Sequence, residues 1–260
     1  MRRARGFKLF FHIIEEEKRM RAIMYVAHGS RLPEKNREFR RFVEQIMQQR
    51  PETHQKIAFL EKEDETMALV GEALMKAGAS EITVIPMLLF PAMHATKDIP
   101  EQVTALKKAH PDVIFQIADT FGAEEETIAV AASRIKAASP ARSAAILVIA
   151  HGSATYHEPR IQMQRVAEKL SAELGNPVTL GMLHGEPNYR QVATELAATN
   201  DDIYWMPYFL FTGQLVDKIR AGIKEVSEHT PNTTWHETNC LELDSSLAPA
   251  VLRKIAEVSQ

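Results

Sequence analysis

Twice in this chain an apolar run ends on histidine, glycine and serine: YVAHGSR at 25–31 and VIAHGSA at 148–154. A neutral imidazole at the end of a buried strand can ligate a borderline divalent metal such as iron, cobalt, nickel or zinc, or carry a proton near pH 7. Two further groups can join His28. Glu61 closes the run KIAFLE, and His94 follows ITVIPMLLF in what reads as a loop, with Lys97 and Asp98 just beyond. Each has a plain structural reading when taken singly. His28 can be a hydrogen-bonded strand end, and Glu61 can belong to the solvated stretch EKEDE. Two imidazoles and a carboxylate leaving three strands on one edge weigh more than any one of them. Gly29 would let the backbone approach a ligand closely, Ser30 can cap the next helix, and Pro33 suits a first helical turn.

These side chains converge only if the strands lie side by side. IMYVAHGSR (23–31) aligned on ILVIAHGSA (146–154) matches at five of nine positions, and PMLLF (86–90) pairs with PYFLF (207–211). The period is too long for a solenoid and predicts a duplicated lobe of roughly 120 residues. In the first lobe the pattern predicts strands at 23–27, 57–60, 82–86 and 112–117, and helices at 34–49, 64–78, 98–109 and 124–138. Gly78 is placed to stop the second helix. The second lobe repeats this, with strands near 146–150, 178–183, 202–206 and 233–237. Apolar strands alternating with helices predict an α/β fold of two similar doubly wound lobes with parallel sheets, facing a central cleft. Ligands in such sheets bind beyond the carboxyl ends of the strands. We divide the chain into an extension (1–20), a catalytic lobe (21–140) and a degenerate second lobe (141–260), with SPARS (139–143) as linker.

Bulk properties narrow the function classes. The 260 residues are 45% hydrophobic, enough for a real core, and a formal charge of −3 offers no basic surplus for nucleic acid or an anionic membrane. The one cysteine, Cys240, excludes an internal disulfide and any four-cysteine metal site, and fits a reducing cytoplasm. No apolar run approaches the ~20 residues of a membrane span. The start MRRARGFKLFFHII has the basic-then-apolar order of a signal peptide, but EEEKRM follows it without a small-residue cleavage site. The purine-rich codons of that second stretch, resembling a ribosome-binding site, make Met20 an alternative start.

Two motif classes are absent. Histidine phosphatases and mutases place arginine before the strand-end histidine, where this chain has Ala27 and Ala150, and neither a dinucleotide fingerprint nor a phosphate loop follows any strand. Instead YVAHGSRLPEKNREF, FLE and ITVIPMLLFPAMHATKDIP resemble the class II chelatases, the sirohydrochlorin ferrochelatase and cobaltochelatase family. VIAHGSA and PYFLFTGQLVDKI resemble the second half of its long, duplicated members, so the likeness spans 22–257. The resemblance implies insertion of Fe²⁺ or Co²⁺, as a substrate and not a resident cofactor, into sirohydrochlorin, an octacarboxylate tetrapyrrole. It maps the metal-handling histidines onto His28 and His94. Glu61 is our own assignment for the nearby acid. Ser30, Arg31 and Lys97 are candidates for gripping substrate, with Arg37 a further cation near that edge; each of the basic three also reads as a solvated surface charge. A metal or tetrapyrrole carrier without catalytic power is the alternative.

By alignment, His94 falls on Leu215 and Glu61 on His184 in the second lobe. Leucine neither ligates nor moves protons, so a single active site in the first lobe is expected. His151 then reads as a hydrogen-bonded remnant, or as part of a cluster with His157 and His184. Tyr208 and Phe209 read either as apolar wall for the macrocycle or as ordinary core. The duplication predicts a monomer.

Overall fold

A computed structural model describes residues 20–52 and 54–258, so most of the expected N-terminal extension lies outside the described residues. Strands β1 (Arg21–Ala27), β2 (His54–Phe59), β3 (Glu81–Pro86) and β4 (Ile114–Ile117) form one parallel sheet in the order β2-β1-β3-β4. Strands β5 (Ala145–Gly152), β6 (Val178–His184), β7 (Asp202–Pro207) and β8 (Thr234–Glu237) repeat it as β6-β5-β7-β8. After Arg21 every residue of β1 is buried, and so is all of β3, because helices cover both faces.

In lobe one the helices are α1 (Pro33–Met47), α2 (Met67–Lys76), α3 (Ile99–Ala109) and α4 (Glu125–Ala137). Lobe two has α5 (Glu158–Leu174), α6 (Tyr189–Ala197), α7 (Gln214–Glu228) and α8 (Ala248–Val258). In α1, Phe39, Phe42, Val43 and Ile46 recur at helical spacing and are buried. Gly78 takes the left-handed conformation, φ 102°, just past α2, as a helix stop requires.

Boundaries differ from the sequence pattern in places. β2 starts at His54, not 57, and ends at Phe59, so Glu61 lies beyond the strand. The helix expected at 98–109 is preceded by a π-helical turn over His94–Asp98, so His94 is not in a loop. Ser30 does not cap α1. The cap position is Leu32, without a side-chain bond, and Ser30 Oγ accepts from the Leu32 amide at 3.1 Å within the turn. Pro33 does occupy the first turn.

The final helices are exchanged between lobes. One face of the first sheet is covered by α2 and α3, whose Val70, Leu74, Val103 and Leu106 share a core with Met24 and Val26. The other face carries α1 and α8, the last helix of lobe two. Reciprocally, α4 leaves lobe one to pack on α5, where Lys136 pairs with Glu173 at 2.8 Å. The buried Lys254 of α8 meets Glu124 at the start of α4 at 2.7 Å. A continuous core therefore runs through both lobes, from Tyr25 and Phe42 to Val166 and Val251.

Candidate metal centre

His28 follows β1 directly, and its placement depends on Gly29. Gly29 sits at φ 91°, and a Cβ there would collide with the Glu61 carbonyl oxygen. The close approach that the fold shows at Gly29 is to the neighbouring chain segment. The Glu61 amide donates to the His28 carbonyl at 2.9 Å, extending the β1–β2 pairing past both strands and bringing the two residues to one edge. Asn36, buried on α1, clamps the turn from behind. Its Oδ1 accepts from the Ser30 amide at 2.8 Å, and its Nδ2 donates to the Ser30 carbonyl at 2.9 Å and to Glu63. Arg40 anchors Glu63 and Glu65 at 3.1 and 3.0 Å.

His94 reaches the same place from the end of β3. The rings of His28 and His94 lie with centroids 4.4 Å apart and planes 60° from each other. Imidazole nitrogens ligate at ~2.0–2.1 Å, so one ion can touch both. Asp98, one turn on, accepts the His94 Nδ1–H at 2.6 Å. That bond leaves Nε2 with its lone pair, as a metal ligand needs, and fixes the ring. Sequence reasoning noted Asp98 but gave it no task. The four-residue spacing from His94 was its signal, hidden while the segment read as a loop.

Beside His94 lies a cavity of about 470 Å³ lined by Leu60, Glu61, Asp98, Glu101, Gln102 and Ala105. All its walls belong to lobe one, and three are carboxylates, a field that draws cations. A separate depression of about 370 Å³ lies between α1 and residues 210–212 and 242–243 of lobe two. Glu61 is exposed and turns to Lys62 at 2.8 Å. The Lys62 hydrogen bond and charge, with His28 and His94 behind them, hold its carboxyl below the ordinary carboxylate range. Among the described residues no three His, Cys, Asp or Glu side chains gather as a metal cage. Arg31 and Lys97 are exposed on this edge and make no ion pair among the described residues, whereas Arg37 is engaged with Glu34.

Residues 22–138 match the CbiX family, and residues 145–258 match it again. The chain belongs to the CbiX family. It is a class II chelatase of the long form, with two CbiX repeats. Sirohydrochlorin ferrochelatase of Bacillus subtilis strain 168 is 32% identical over 216 residues, 81% of this chain and 82% of that protein. Sirohydrochlorin cobaltochelatase of Priestia megaterium is 26% identical over 223 residues, 79% of this chain and 69% of that one. The solved structure of SirB from Bacillus subtilis with Fe³⁺ superposes with a TM-score of 0.83 at 28% identity, over 92% of this chain and 95% of that one.

The second CbiX repeat keeps the architecture of the edge and changes its chemistry. Gly152, φ 67°, repeats the tight turn against the His184 carbonyl. Strand register sets Ala27 beside Phe59 and Ala150 beside Met182, so His184 stands where Glu61 stands in lobe one. His151 Nδ1 donates to the Gly152 carbonyl at 2.8 Å, and its ring lies 5.0 Å from that of His184. Leu215 is exposed in the first turn of α7. His157 precedes α5 on the surface and has no ring contact with the pair among the described residues. Tyr208 is core: it is fully buried, and its hydroxyl donates to the Gly122 carbonyl at 2.8 Å. Phe209 packs against the outer core of lobe two.

Proposed function

We propose that this CbiX chain is a sirohydrochlorin metal chelatase that inserts Fe²⁺, with its single active site in lobe one. The observation that carries this reading is the His28–His94 pair, 4.4 Å apart and braced by Asp98 beside an acid-lined cavity. It rests also on the ferrochelatase of Bacillus subtilis, at 32% identity. Metal and sirohydrochlorin are both substrates, and no resident cofactor is needed.

The chemistry follows from an open site. Two imidazoles bind a divalent ion without enclosing it, so their bonds exchange and the ion can pass to a second ligand. The macrocycle supplies four nitrogens, two of which lose protons as metal–nitrogen bonds form. As each metal–imidazole bond breaks, the freed nitrogen lone pair can take a pyrrole proton, and the carboxylates of Glu61 and Glu101 pass protons to water. Holding ion and ring together replaces a random encounter with a fixed one. Arg31 and Lys97, without ion pairs among the described residues, would meet substrate carboxylates, and Ser30 would shape the turn beneath them.

Cobalt insertion is the second reading, favoured by the Priestia megaterium cobaltochelatase, and a two-histidine site holds either ion. We propose a monomer, because the exchanged helices complete both lobes within one chain. Anaerobic protein mixed with sirohydrochlorin and Fe²⁺ or Co²⁺ tests the whole reading by the absorbance change of metallation. Wild type outpaces the spontaneous reaction, the faster metal is the physiological candidate, and His28→Ala and His94→Ala remove the acceleration. Binding of sirohydrochlorin without insertion would make the chain a carrier. Loss of turnover in His151→Ala but not in His28→Ala would move the site to lobe two.

A further inference from the structure

The lobe-two edge repeats the imidazole pair of lobe one and inverts its charge. Lobe one lines the cavity beside His94 with Glu61, Asp98 and Glu101. Register equates Pro86 with Pro207, through Val26 and Ile149. Counted from those prolines, Asp98 falls on Ile219, Glu101 on Gly222 and Lys97 on Lys218, while Glu61 falls on His184. All three acids are gone and the lysine is kept. What remains is His151 and His184, 5.0 Å apart, with Lys218 at the position that Lys97 holds in lobe one.

Among the described residues no carboxylate forms an ion pair with His151, His184 or Lys218. Of the nearby acids, Glu186 accepts from the Asn188 amide at 2.9 Å and Asp217 pairs with Arg220 at 2.5 Å. Lys218 is exposed and has no ion pair among the described residues. Burial, His151 and Lys218 all push the His184 imidazole below its ordinary range, as mutually repelling bases do. The acids that draw a cation to lobe one are missing here. A carboxylate can accept from the Lys218 ammonium and from a His184 ring N–H, beside His151, whose Nδ1–H already goes to the Gly152 carbonyl.

The structure also says where such an anion would come from. Segments leaving β3 and β7 touch through Phe90 and Tyr208, ring centroids 5.8 Å apart, so the two sheet edges are neighbours. A polycarboxylate substrate gains nothing from the acid-lined cavity of lobe one. We infer that His151, His184 and Lys218 form a carboxylate-binding site that holds peripheral carboxylates of the tetrapyrrole while lobe one presents the metal. This rests on the chelatase reading.

The test is a titration of the full chain with metal-free sirohydrochlorin, followed by the absorbance of the tetrapyrrole, with Co²⁺ binding measured separately. Lys218→Ala and His184→Glu are each expected to raise the tetrapyrrole Kd by about tenfold, the loss of one charge-assisted hydrogen bond, and to flatten its salt dependence. The Co²⁺ Kd stays at the wild-type value, which also reports an intact fold. Wild-type tetrapyrrole affinity in both variants overturns the inference and leaves the chelatase reading standing. So does a second Co²⁺ per wild-type chain that His151→Ala abolishes. A wild-type chain that leaves sirohydrochlorin unbound overturns both.

Discussion

Asp98→Asn perturbs the proposed metal site without touching a ligand. The Asp98 carboxylate receives the His94 Nδ1–H at 2.6 Å, and both side chains are about a quarter to a third exposed (27% and 31%). A hydrogen bond to a charged group contributes ~1.5–3 kcal/mol and a neutral one ~0.5–1.5, so the amide forfeits about 1 kcal/mol of ring orientation. Partial exposure screens some of the carboxylate's advantage. An asparagine can also turn its NH₂ toward Nδ1, which moves the imidazole proton to Nε2 and removes the lone pair that would face the metal. The expected loss is about 5- to 20-fold in Co²⁺ affinity, measured by the visible absorbance of bound cobalt or by calorimetry. The metallation rate at subsaturating metal falls in parallel, while the thermal midpoint changes by no more than a few degrees. Unchanged cobalt affinity in a folded Asp98→Asn chain would refute the claim that Asp98 orients His94.

Asn36→Ala removes the buried amide that holds the half-buried Ser30 amide and carbonyl, while Glu63 keeps Arg40. The expected cost is about 2–3 kcal/mol, seen as a lower denaturant midpoint, with weaker metal binding because the His28 turn loosens. Deleting residues 248–258 strips Val251 and Ile255, both fully buried, from the core of lobe one. At ~1.5–3 kcal/mol for each such side chain the loss is about 3–6 kcal/mol, a large part of a typical total stability, so the truncated chain melts far lower or fails to fold. Asp244 is held below the ordinary carboxylate range by Ser246 and then by Arg134. A depressed carboxyl contributes stability above its unfolded value near 3.9, and that contribution is lost as pH falls through the folded value. Asp244→Asn is therefore slightly less stable than wild type at pH 7, and the difference disappears in acid denaturation once pH has fallen through the folded value.

Much of this geometry was legible in the residues. Fully apolar strands marked sheets buried on both faces, and the repeat of AHGS announced two lobes. A polar residue at the end of an apolar strand has one place to go in a parallel sheet, so His28, Glu61 and His94 were placed on one edge before any contact was known. Features made by non-local contacts were not legible. Asn36 reads as one more polar residue in a charged helix start, and only the fold shows that its amide closes on Ser30. Gly29 announces an unusual backbone but not that the Glu61 carbonyl is the reason for it. The π turn was hidden because Pro91 and Pro100 break the helical pattern on either side of His94. An amphipathic stretch such as 248–258 shows that it must bury a face, and says nothing of which sheet receives it.

The crossed final helices limit how the molecule can move. Swinging the halves apart about the 139–143 connection would pull Val251 and Ile255 off the first sheet and α4 off α5, stripping the shared core at two places at once. Ring entry and product departure must then be handled by short surface segments around a fixed frame. On the proposed reading the distance from the imidazole pair to the seat of the ring is set by the frame, and the ion is what moves.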